Sequence, residues 1–272
     1  MIHLMVCGNR YAVKGLLVIA LSYLRYNTRP VTIHFLSMDH SEANPKFVPP
    51  TKGQYDYIDA LLKTGHPESK LISYDVTKEF KAQKWHHKFN KSSYTPYALL
   101  RLFSDHLDLP EKVLYLDTDT FILGDLGPCY DMDMDGYEFA GALDQLGTFW
   151  IGAAYQNSGV LLLNMPQIRA TGLFSKCRDF LARKHPILAD QDALYHNVGP
   201  KKFLPQIYNE QVHSHEDTVI RHFSKTLRWF PFFHLLNVKP WHVDRISKVD
   251  DPARFHDVLT DYLSRIEELE AL

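Results

Sequence analysis

The chain has 272 residues, of which 45% are hydrophobic and 23% are charged, and its formal net charge at pH 7 is −2. This length and composition suffice for a large buried core, and the near-neutral charge excludes the basic field that nucleic-acid-binding domains use. The three cysteines, Cys7, Cys129 and Cys177, show no CxxC spacing, which favours reduced, buried thiols in a cytosolic protein.

The first part of the sequence alternates between strand and helix patterns. Strands are predicted at residues 2–7, 31–36 and 70–75, and helices at about 13–26 and 54–63. The apolar run at residues 16–21 is too short to span a bilayer and a strand precedes it, so we interpret it as part of a buried helix rather than as a signal peptide. Such alternation predicts a parallel sheet with crossover helices.

The second part continues this pattern. The predicted elements are a helix from Pro96 to about His106 with Thr95 as its cap, strands at 113–116, 137–144 and 160–163, one helix from Pro166 to about Lys184, a short helix from Asp190, a strand at 218–223 and a charged helical tail after Trp241. No internal repeat is visible, and the length fits one large domain or one and a half.

Asp117-Thr118-Asp119 directly follows the apolar run at residues 113–116. Two carboxylates one residue apart at the end of a buried strand form a good site for Mg²⁺ or Mn²⁺, which take oxygen ligands and often share them with a diphosphate. The alternating Asp and Met residues at 131–135 have the same spacing, but no apolar strand precedes them. We therefore predict the metal site at Asp117 and Asp119.

Several polar groups share one placement, at the end of a predicted strand or at the start of the next element. They are Gly8-Asn9, Asp39, Asp117, Asp119, Asp144, Asn157 and His222. A single polar residue at such a place is usually a turn former or a helix cap. In an open parallel sheet, however, the loops at this edge leave a crevice in which ligands bind, so the set predicts one shared site.

Asn157 and three further candidates have side chains that suit a phosphate or a sugar. The amides of Asn157 and Gln191 can hydrogen-bond sugar hydroxyls. Arg101 can offer a fork to a carboxylate or a phosphate, and Lys239, before Pro240-Trp241, can meet a phosphate. The alternatives, an arginine in a surface ion pair and a solvated lysine, stay open on this pattern alone.

Short blocks with a particular order and spacing run along most of the chain. They are His34-Phe35-Leu36-Ser37, Ser41-Glu42, Tyr94-Thr95-Pro96 with Arg101-Leu102, the run from Lys112 to Asp119, Gly124-Asp125-Leu126, the run from Asn157 to Asn164, Asp190-Gln191-Asp192-Ala193-Leu194, the run from Val219 to Phe223, and Lys239-Pro240-Trp241. Together they resemble the family 8 retaining glycosyltransferases, which include bacterial lipopolysaccharide galactosyl- and glucosyltransferases and glycogenin. The resemblance spans residues 2 to about 242.

The resemblance implies an α/β chain with a GT-A fold, that is, a Rossmann-like mixed central sheet with flanking helices. It implies one catalytic domain over residues 1–242, with a nucleotide-binding half to about 120 and an acceptor and metal half from about 121, before a helical tail at 243–272. The implied reaction moves a hexose from a UDP-sugar to a hydroxyl of a glycan or lipid-linked glycan, as in lipopolysaccharide or other cell-surface glycan biosynthesis. The implied cofactor is Mn²⁺ or Mg²⁺.

The resemblance also implies the roles of individual residues. Asp117, Asp119 and His222 are the implied metal ligands, and imidazole suits Mn²⁺ better than Mg²⁺. Asp190 and Gln191 are the implied catalytic residues, with Gln191 beneath the anomeric carbon. The implied substrate-binding residues are Cys7, Gly8, Asn9, Tyr11, Arg101, Asp117, Thr118, Asp144, Asn157, Ser158 and Lys239.

For the mechanism we expect the acceptor hydroxyl to attack on the face from which UDP leaves, and the leaving phosphate oxygen to take its proton. A double displacement with Asp190 as the nucleophile is the alternative.

The first turn departs from the family pattern. The family usually carries acidic residues there, one of which reads the uracil, whereas this chain has Gly8-Asn9-Arg10-Tyr11. Recognition of uracil then passes to Asn9 or to backbone groups, and UDP is less firmly implied than the metal.

The third metal ligand has two candidates, because residues 224–237 form a longer insertion between His222 and Lys239 than is usual in the family. His234 lies within this insertion and is the alternative ligand. We prefer His222, because it follows an apolar strand and precedes Phe223, as in the family motif.

The same insertion is basic and aromatic, with Lys225, Arg228 and Trp229 before a run of phenylalanines. This composition suits either packing against the core or a membrane interface. From the cysteine pattern and the near-neutral charge we predict a cytoplasmic protein without a nucleic-acid partner. The insertion adds peripheral contact at the inner face of the membrane as one option. The sequence does not specify the oligomeric state.

Two other functions fit the sequence less well. The pattern Asp-x-Asp-x-Thr also occurs in haloacid dehalogenase-type phosphatases, with Asp117 as the nucleophile, but that motif normally lies near the N-terminus and needs a later acidic pair after a strand. Asp250-Asp251 lies in a charged segment instead. The other alternative is an inactive homologue that binds a nucleotide sugar, because the first turn lacks acidic residues and Tyr195 stands where the family usually has Asn.

Overall fold

The strands of the protein were located in a computed structural model, which describes residues 1–83, 85, 96–184, 186–228 and 234–272. They are β1 (Ile2–Cys7), β2 (Val31–Ser37), β3 (Lys70–Asp75), β4 (Lys112–Leu116), β5 (Thr120–Ile122), β6 (Phe139–Leu143), β7 (Gln156–Asn164), β8 (Lys202–Phe203), β9 (Ile220–His222), β10 (Thr226–Arg228) and β11 (His234–Leu236). Seven of them form a central sheet in the order β3-β2-β1-β4-β7-β6-β8.

Strand direction determines which residues meet at each edge of this sheet. β1 pairs in parallel with β2 and β4, and β2 pairs in parallel with β3. β7 runs antiparallel to both β4 and β6. The start of β7 therefore lies at the edge where β1 to β4 end. This mixed α/β sheet confirms the expected fold class.

Helices cover both faces of the sheet. They are α1 (Val13–Tyr26), α2 (Lys52–Gly65), α3 (Thr77–Lys81), α4 (Gly127–Tyr130), α5 (Gly147–Trp150), α6 (Met165–Thr171), α7 (Leu173–Arg183), α8 (Ala189–Asn197) and α9 (His256–Ala271), with 3-10 helices at Arg10–Ala12, Pro96–His106, Gln206–Tyr208, Val243–Lys248 and Pro252–Phe255. The predicted helix from Pro96 thus has 3-10 geometry, and its predicted cap, Thr95, lies outside the described residues.

The prediction of one continuous helix from Pro166 to about Lys184 is wrong at Gly172. This residue has φ = 67°, in the left-handed region, and it ends α6 and precedes α7. Glycine adopts this conformation without the steric penalty of a side chain, so the chain changes direction here.

Two apolar clusters pack against the two faces of the sheet. α1, α2 and α9 lie on one face, and the 3-10 helix Pro96–His106 lies with α7 and α8 on the other. Most of α1 is buried, as predicted from apolar residues on most of its faces.

All three cysteines are buried and form no disulfide bond. No helix within the described ranges is long and apolar enough to cross a membrane.

Two small antiparallel sheets were not predicted from the sequence. One pairs β5 with β9, and the other pairs β10 with β11 within the insertion. The residues between β10 and β11, including Trp229, lie outside the described residues. The strand predicted at 218–223 contains β9. The other three strands have only three residues each, too few to show an alternating pattern, so sequence periodicity does not reveal them.

Candidate active site and metal centre

The turn after β4 carries the two predicted metal-binding carboxylates. The backbone N–H of Asp117 donates to the carbonyl of Gly159 in β7 (2.8 Å), and the N–H of Thr120 donates to the carbonyl of Asp117 (3.1 Å). Helix α1 lies directly against this turn, because a Cβ atom on Gly15 would lie 2.1 Å from the carbonyl oxygen of Thr118. A strand on one side and a helix on the other thus fix the turn.

His222 reaches the same place through the small sheet of β5 and β9. It pairs with Thr120 across this sheet, and the N–H of the following Phe223 donates to the carbonyl of Asp119 (2.8 Å). The imidazole ring lies over Gly159, where a Cβ atom would be 2.1 Å from its Cε1 atom. The glycine of the Asn-Ser-Gly block therefore leaves the space that the ring occupies.

These three side chains form a group of potential metal ligands. Nε2 of His222 lies 3.8 Å from Oδ2 of Asp117 and 3.3 Å from Oδ1 of Asp119. Among the described residues, no other set of three His, Cys, Asp or Glu side chains brings its ligand atoms together in this way, here within 4.8 Å. Two carboxylate oxygens and one imidazole nitrogen are a donor set that fits Mn²⁺.

Each carboxylate has its other oxygen held by a partner. Oδ1 of Asp117 accepts hydrogen bonds from Nη2 of Arg101 (2.8 Å) and from the hydroxyl of Tyr115 (2.5 Å). Oδ2 of Asp119 accepts from Nζ of Lys239. Because these partners fix the orientation of the carboxylates, Oδ2 of Asp117 and Oδ1 of Asp119 face His222.

Asp119 is held in its ionised form. Burial by itself raises the pKa of this carboxyl, but the Lys239 ammonium and then the His222 ring outweigh burial and keep the pKa well below its usual range. A carboxylate that stays charged is the form that binds a cation.

The tautomer of His222 follows from a chain of hydrogen bonds that begins at a backbone donor. The N–H of Gly159 donates to Oδ1 of Asn157 (2.9 Å), which fixes the orientation of that amide. Nδ2 of Asn209 donates to the same oxygen (3.0 Å), so Oδ1 of Asn209 faces Nδ1 of His222 at 3.1 Å. Nδ1 must then carry a proton, which leaves Nε2, on the side of the two carboxylates, as the ring nitrogen that can bind a metal ion.

Arg101 lies beneath the carboxylates rather than on the surface, with only 1% of its area exposed. Its guanidinium lies 3.7 Å above the ring of Tyr115 and donates to the carbonyl of Ser158. Nε of Arg101 is also 3.4 Å from Oδ2 of Asp190. Arg101 therefore forms ion pairs, as in the alternative interpretation from the sequence, but these pairs are buried rather than on the surface. Its contact with the donor sugar stays a prediction.

The amides predicted to bind the donor sugar meet at Asp144. Oδ2 of Asp144 accepts from Nδ2 of Asn157 (2.9 Å) and from Nε2 of Gln191 (3.0 Å). Oε1 of Gln191 accepts from the backbone N–H of Ser158 (3.1 Å) and lies 3.3 Å from its hydroxyl. The structure thus joins four predicted site residues, and through Asn157 it connects them to the histidine.

Asp190 is almost completely buried, and no hydrogen bond within the described part of the chain reaches its Oδ2 atom. Burial raises the pKa of this carboxyl, Arg101 opposes this effect, and the charge of Asp117 adds to it. Asp190 lies next to Gln191 on α8, but it points to the buried side, towards Arg101.

The first turn places the remaining predicted residues at the same edge. Oδ1 of Asn9 accepts from the N–H groups of Tyr11 (3.1 Å) and Ala12 (3.2 Å), and Nδ2 of Asn9 donates to the carbonyl of Lys46 (3.2 Å). Asn9 is therefore a helix cap as well as a candidate for uracil recognition. Tyr11 is 54% exposed. Gly8 follows buried Cys7, and a Cβ atom on Gly8 would lie 2.3 Å from that of Ala12.

Sequence reasoning missed two residues that orient the metal ligands. Asn209 follows the short 3-10 helix Gln206–Tyr208 and lies at no predicted strand end, so the sequence carries no signal for it. Tyr115 could have been found, because residues two apart on a strand lie on the same face, and Tyr115 is two residues before Asp117. Lys239 contacts Asp119, and its expected contact with the diphosphate stays a prediction.

Two further predictions concern positions at which the sequence departs from the family pattern. The ring of Tyr195 packs against Tyr155 with the ring centres 4.9 Å apart, and Nζ of Lys201 lies 4.1 Å from the centre of the Tyr195 ring. The side chain of His234, the alternative metal ligand, lies outside the described residues, so that alternative stays untested.

Comparison with known proteins assigns the chain to a family. Residues 3–244 match the family model described as Glycosyl transferase family 8. The chain belongs to glycosyl transferase family 8. The family assignment does not fit the haloacid dehalogenase-type phosphatase alternative. In agreement with this, the carboxylate of Asp250 is bound by Arg221 (2.6 Å) and by the hydroxyl of Ser214 (2.5 Å).

Two curated relatives come from Streptococcus pneumoniae serotype 4 (strain ATCC BAA-334 / TIGR4). Glycosyltransferase GlyB is 25% identical over 192 residues, which is 65% of this chain and 45% of GlyB. Glycosyltransferase GlyF is 22% identical over 171 residues, which is 62% of this chain and 39% of GlyF. The family 8 chain thus spans less than half the length of these curated relatives.

Solved structures show the same fold. An active-site mutant of LgtC has a TM-score of 0.72 and 18% identity, with 96% of both chains covered. Galactosyltransferase LgtC in complex with donor and acceptor sugar analogs has a TM-score of 0.69, also at 18% identity. These similarities establish a GT-A fold for the family 8 chain.

Proposed function

We propose that the chain is a metal-dependent, retaining glycosyltransferase that moves a hexose from a UDP-sugar to a hydroxyl group of a glycan or lipid-linked glycan. The observation that carries this proposal is the convergence of Oδ2 of Asp117, Oδ1 of Asp119 and Nε2 of His222, each on a side chain whose other polar atom has its own partner. This convergence lies at the edge of the sheet where ligands of open α/β folds bind.

The three ligand atoms fit Mn²⁺, or Mg²⁺ as the alternative, because they combine hard oxygens with one imidazole nitrogen. When bound, such an ion supplies positive charge that stabilises the diphosphate leaving group. The ammonium of Lys239, which contacts Asp119, is a second positive charge next to the place proposed for the diphosphate.

The group of Asp144, Asn157, Gln191 and Ser158 is the proposed site of the donor sugar. Its amides and carboxylate already orient each other by hydrogen bonds, so they need little rearrangement to bind hydroxyl groups. In the proposed step the bond from the anomeric carbon to the phosphate oxygen breaks, and the bond to the acceptor oxygen forms on the same face. The acceptor proton moves to the leaving phosphate oxygen, and Gln191 stabilises the positive charge of the sugar through its amide oxygen.

The burial of Asp190 favours this route over a double displacement. A nucleophilic carboxylate must reach the anomeric carbon in its charged form, whereas Asp190 is buried towards Arg101 and has a raised pKa. Mass spectrometry of a slow variant after incubation with donor tests this choice, and a glycosylated Asp190 would overturn it.

The acceptor is proposed to bind beside α5, the helix that lies between Asp144 and Asn157 in the sequence. Phe149 and Trp150 on this helix are 80% and 69% exposed. Their ring centres are 5.0 Å apart, so they form one apolar surface next to the sugar-binding group. Such a surface suits the apolar face of a sugar ring or the lipid part of an acceptor. The membrane option for the insertion and a cytoplasmic location are part of the same proposal.

A screen of UDP-sugars for Mn²⁺-dependent donor hydrolysis tests the proposed function. We expect hydrolysis of at least one UDP-hexose, and a loss on the order of 10²–10³ in rate for Asp117→Asn or Asp119→Asn, by analogy with the removal of one preorganised electrostatic group. The matched control is the double variant Asp133→Asn/Asp135→Asn, which changes an exposed acidic pair of the same spacing.

Two outcomes would favour other functions. Binding of UDP and Mn²⁺ in calorimetry without any turnover would indicate an inactive, nucleotide-sugar-binding homologue. Equal rates in the wild type and in the Asp119→Asn variant at low metal concentration would contradict the assignment of the metal centre.

A further inference from the structure

A second cluster of titratable side chains lies on the sheet, away from the proposed active site. It consists of His3 on β1, His34 on β2 and Tyr74 on β3. Nδ1 of His3 lies 3.2 Å from Nε2 of His34, and Nδ1 of His34 lies 3.0 Å from the hydroxyl oxygen of Tyr74. Because β1 and β4 run parallel, His3 near the start of β1 is separated from Asp117 by the length of a strand.

These side chains line an open cavity of about 330 Å³, a volume at the lower end of small-molecule binding sites. The other lining residues are Met1, Thr32, Lys70, Ile72, Asp108, Leu109 and Pro110. Lys70 contributes a positive charge and Asp108 a negative one, so protonation of the histidine pair makes the charge of the cavity more positive. None of these residues belongs to the proposed active site.

The hydrogen bonds of the cluster leave a donor at one of its ends. If the Tyr74 hydroxyl donates to Nδ1 of His34, then Nε2–H of His34 donates to His3, and Nε2–H of His3 is left over. In the reverse direction the hydroxyl proton of Tyr74 is left over. When His34 takes up a proton, both of its nitrogens donate, and then both ends of the cluster offer a donor.

Groups around the cluster oppose this protonation. Burial lowers the pKa of His34 to about 4, with smaller effects from His3 and Lys70. Burial also lowers the pKa of His3, with smaller effects from the amino group of Met1 and from Lys70. A negative charge in the cavity would offset these effects, so the binding of an anion and the uptake of a proton should favour each other.

We propose that the cavity lined by His3, His34, Tyr74 and Lys70 binds an oxyanion group, of the phosphate, sulfate or carboxylate class, together with a proton. The protonated cluster offers two hydrogen-bond donors at its ends, and the Lys70 ammonium supplies the opposite charge. An acceptor-rich, negatively charged group is the ligand that matches this arrangement.

Sulfate is the probe for the first test, because it remains a dianion at both test pH values, so that any pH dependence belongs to the protein. We expect sulfate to raise the midpoint of thermal unfolding relative to chloride at equal ionic strength, and to do so more strongly at about pH 5.5 than at about pH 7.5. As the histidine pair becomes protonated at lower pH, the dissociation constant for sulfate should decrease by about tenfold for each unit by which bound sulfate raises the pKa of the pair. Calorimetry in buffers of different ionisation enthalpy should detect proton uptake on binding.

Lys70→Met and His34→Gln should each weaken sulfate binding, and His34→Gln should also remove its pH dependence, because His34 is the group that takes up the proton. The matched control is the double variant His213→Gln/His215→Gln, which changes an exposed histidine pair with ring centres 4.5 Å apart. All variants are checked for folding by circular dichroism. The proposal is wrong if sulfate does not stabilise the protein beyond chloride at either pH, if binding is equally tight at both, or if Lys70→Met binds like the wild type.

Discussion

Oδ1 of Asn209 lies 3.1 Å from Nδ1 of His222, on the opposite side of the ring from the two carboxylates. Replacement of Asn209 by Ala removes the acceptor that fixes the tautomer and the ring orientation. We expect Mn²⁺ affinity to fall by about 10–100-fold, as for other residues that orient metal ligands. Calorimetric titration with Mn²⁺ measures this effect. Asn237→Ala, at an exposed asparagine, is the control and should bind like the wild type.

Gly159→Ala should disturb the same ring from its other side. The added Cβ would lie 2.1 Å from Cε1 of His222, so the ring has to move away from the carboxylates. We expect a loss of Mn²⁺ affinity and a destabilisation of about 1–3 kcal/mol, as for other overpacked sites. Chemical denaturation and metal titration measure the two effects. At Gly124 a Cβ meets its nearest atom at 3.5 Å, so Gly124→Ala should have little effect.

Lys239→Met should separate metal binding from donor binding. The variant lacks the ammonium that holds Oδ2 of Asp119, and with it the positive charge proposed to face the diphosphate. We expect Mn²⁺ alone to bind at least as tightly as in the wild type, because a competing cation is gone, and the KM for the UDP-sugar to rise about tenfold or more. Steady-state kinetics at saturating Mn²⁺ measure the donor effect. A large loss of metal affinity with an unchanged KM would contradict this role.

The double variant Phe149→Ser/Trp150→Ser should affect transfer more than donor hydrolysis. These exposed rings lie on α5, whose first residue, Gly147, donates its N–H to Oδ1 of Asp144, but they do not belong to the proposed sugar-binding group. We expect the rate of transfer to an acceptor glycan to fall at least severalfold, on the order of 1–2 kcal/mol of lost apolar contact, with hydrolysis of the donor unchanged. Leu263→Ser, at an exposed position of α9, is the control. A parallel loss of hydrolysis would instead place the rings at the donor.

Stability should decrease with falling pH because of His34. Burial lowers the pKa of His34 from 6.5 to about 4 in the folded protein, so between these values the unfolded chain binds a proton that the folded chain does not. The free energy of unfolding therefore falls as the pH drops from about 6.5 to about 4 and is unaffected by this group above that window. His34→Gln should flatten this slope in urea denaturation curves measured across the window, whereas His213→Gln, at an exposed histidine, should not.

The sequence predicted most of the residues that meet at the site, because long apolar strands can be recognised in the sequence. Asp117 and Asp119 follow a strand with a continuous apolar run, and Asn157 marks the start of another. His222 was placed correctly at the end of a strand, but its partner strand β5 has only three residues and no readable period. Asn209 depends on which side chains meet in space, and no local pattern encodes that.

The sequence was less informative about orientation. Arg101 and Lys239 were both expected to reach the donor. Both contact carboxylates of the metal centre, which the sequence did not show, and their contacts with the donor stay predictions. A basic residue near a binding edge can pair with a ligand or with a protein carboxylate, and only the three-dimensional arrangement distinguishes the two. The reversal of β7 was likewise not visible, because an apolar strand core reads the same in either direction.

The pairing of Arg101 with Asp117 and of Lys239 with Asp119 has an electrostatic consequence for the order of binding. Two cations of the chain already balance the two carboxylates, so a divalent ion brings an excess of positive charge to the centre. The diphosphate of a nucleotide donor carries the negative charge that removes this excess. Metal and donor should therefore strengthen each other's binding reciprocally, so that neither alone saturates the site at the concentrations at which the pair does.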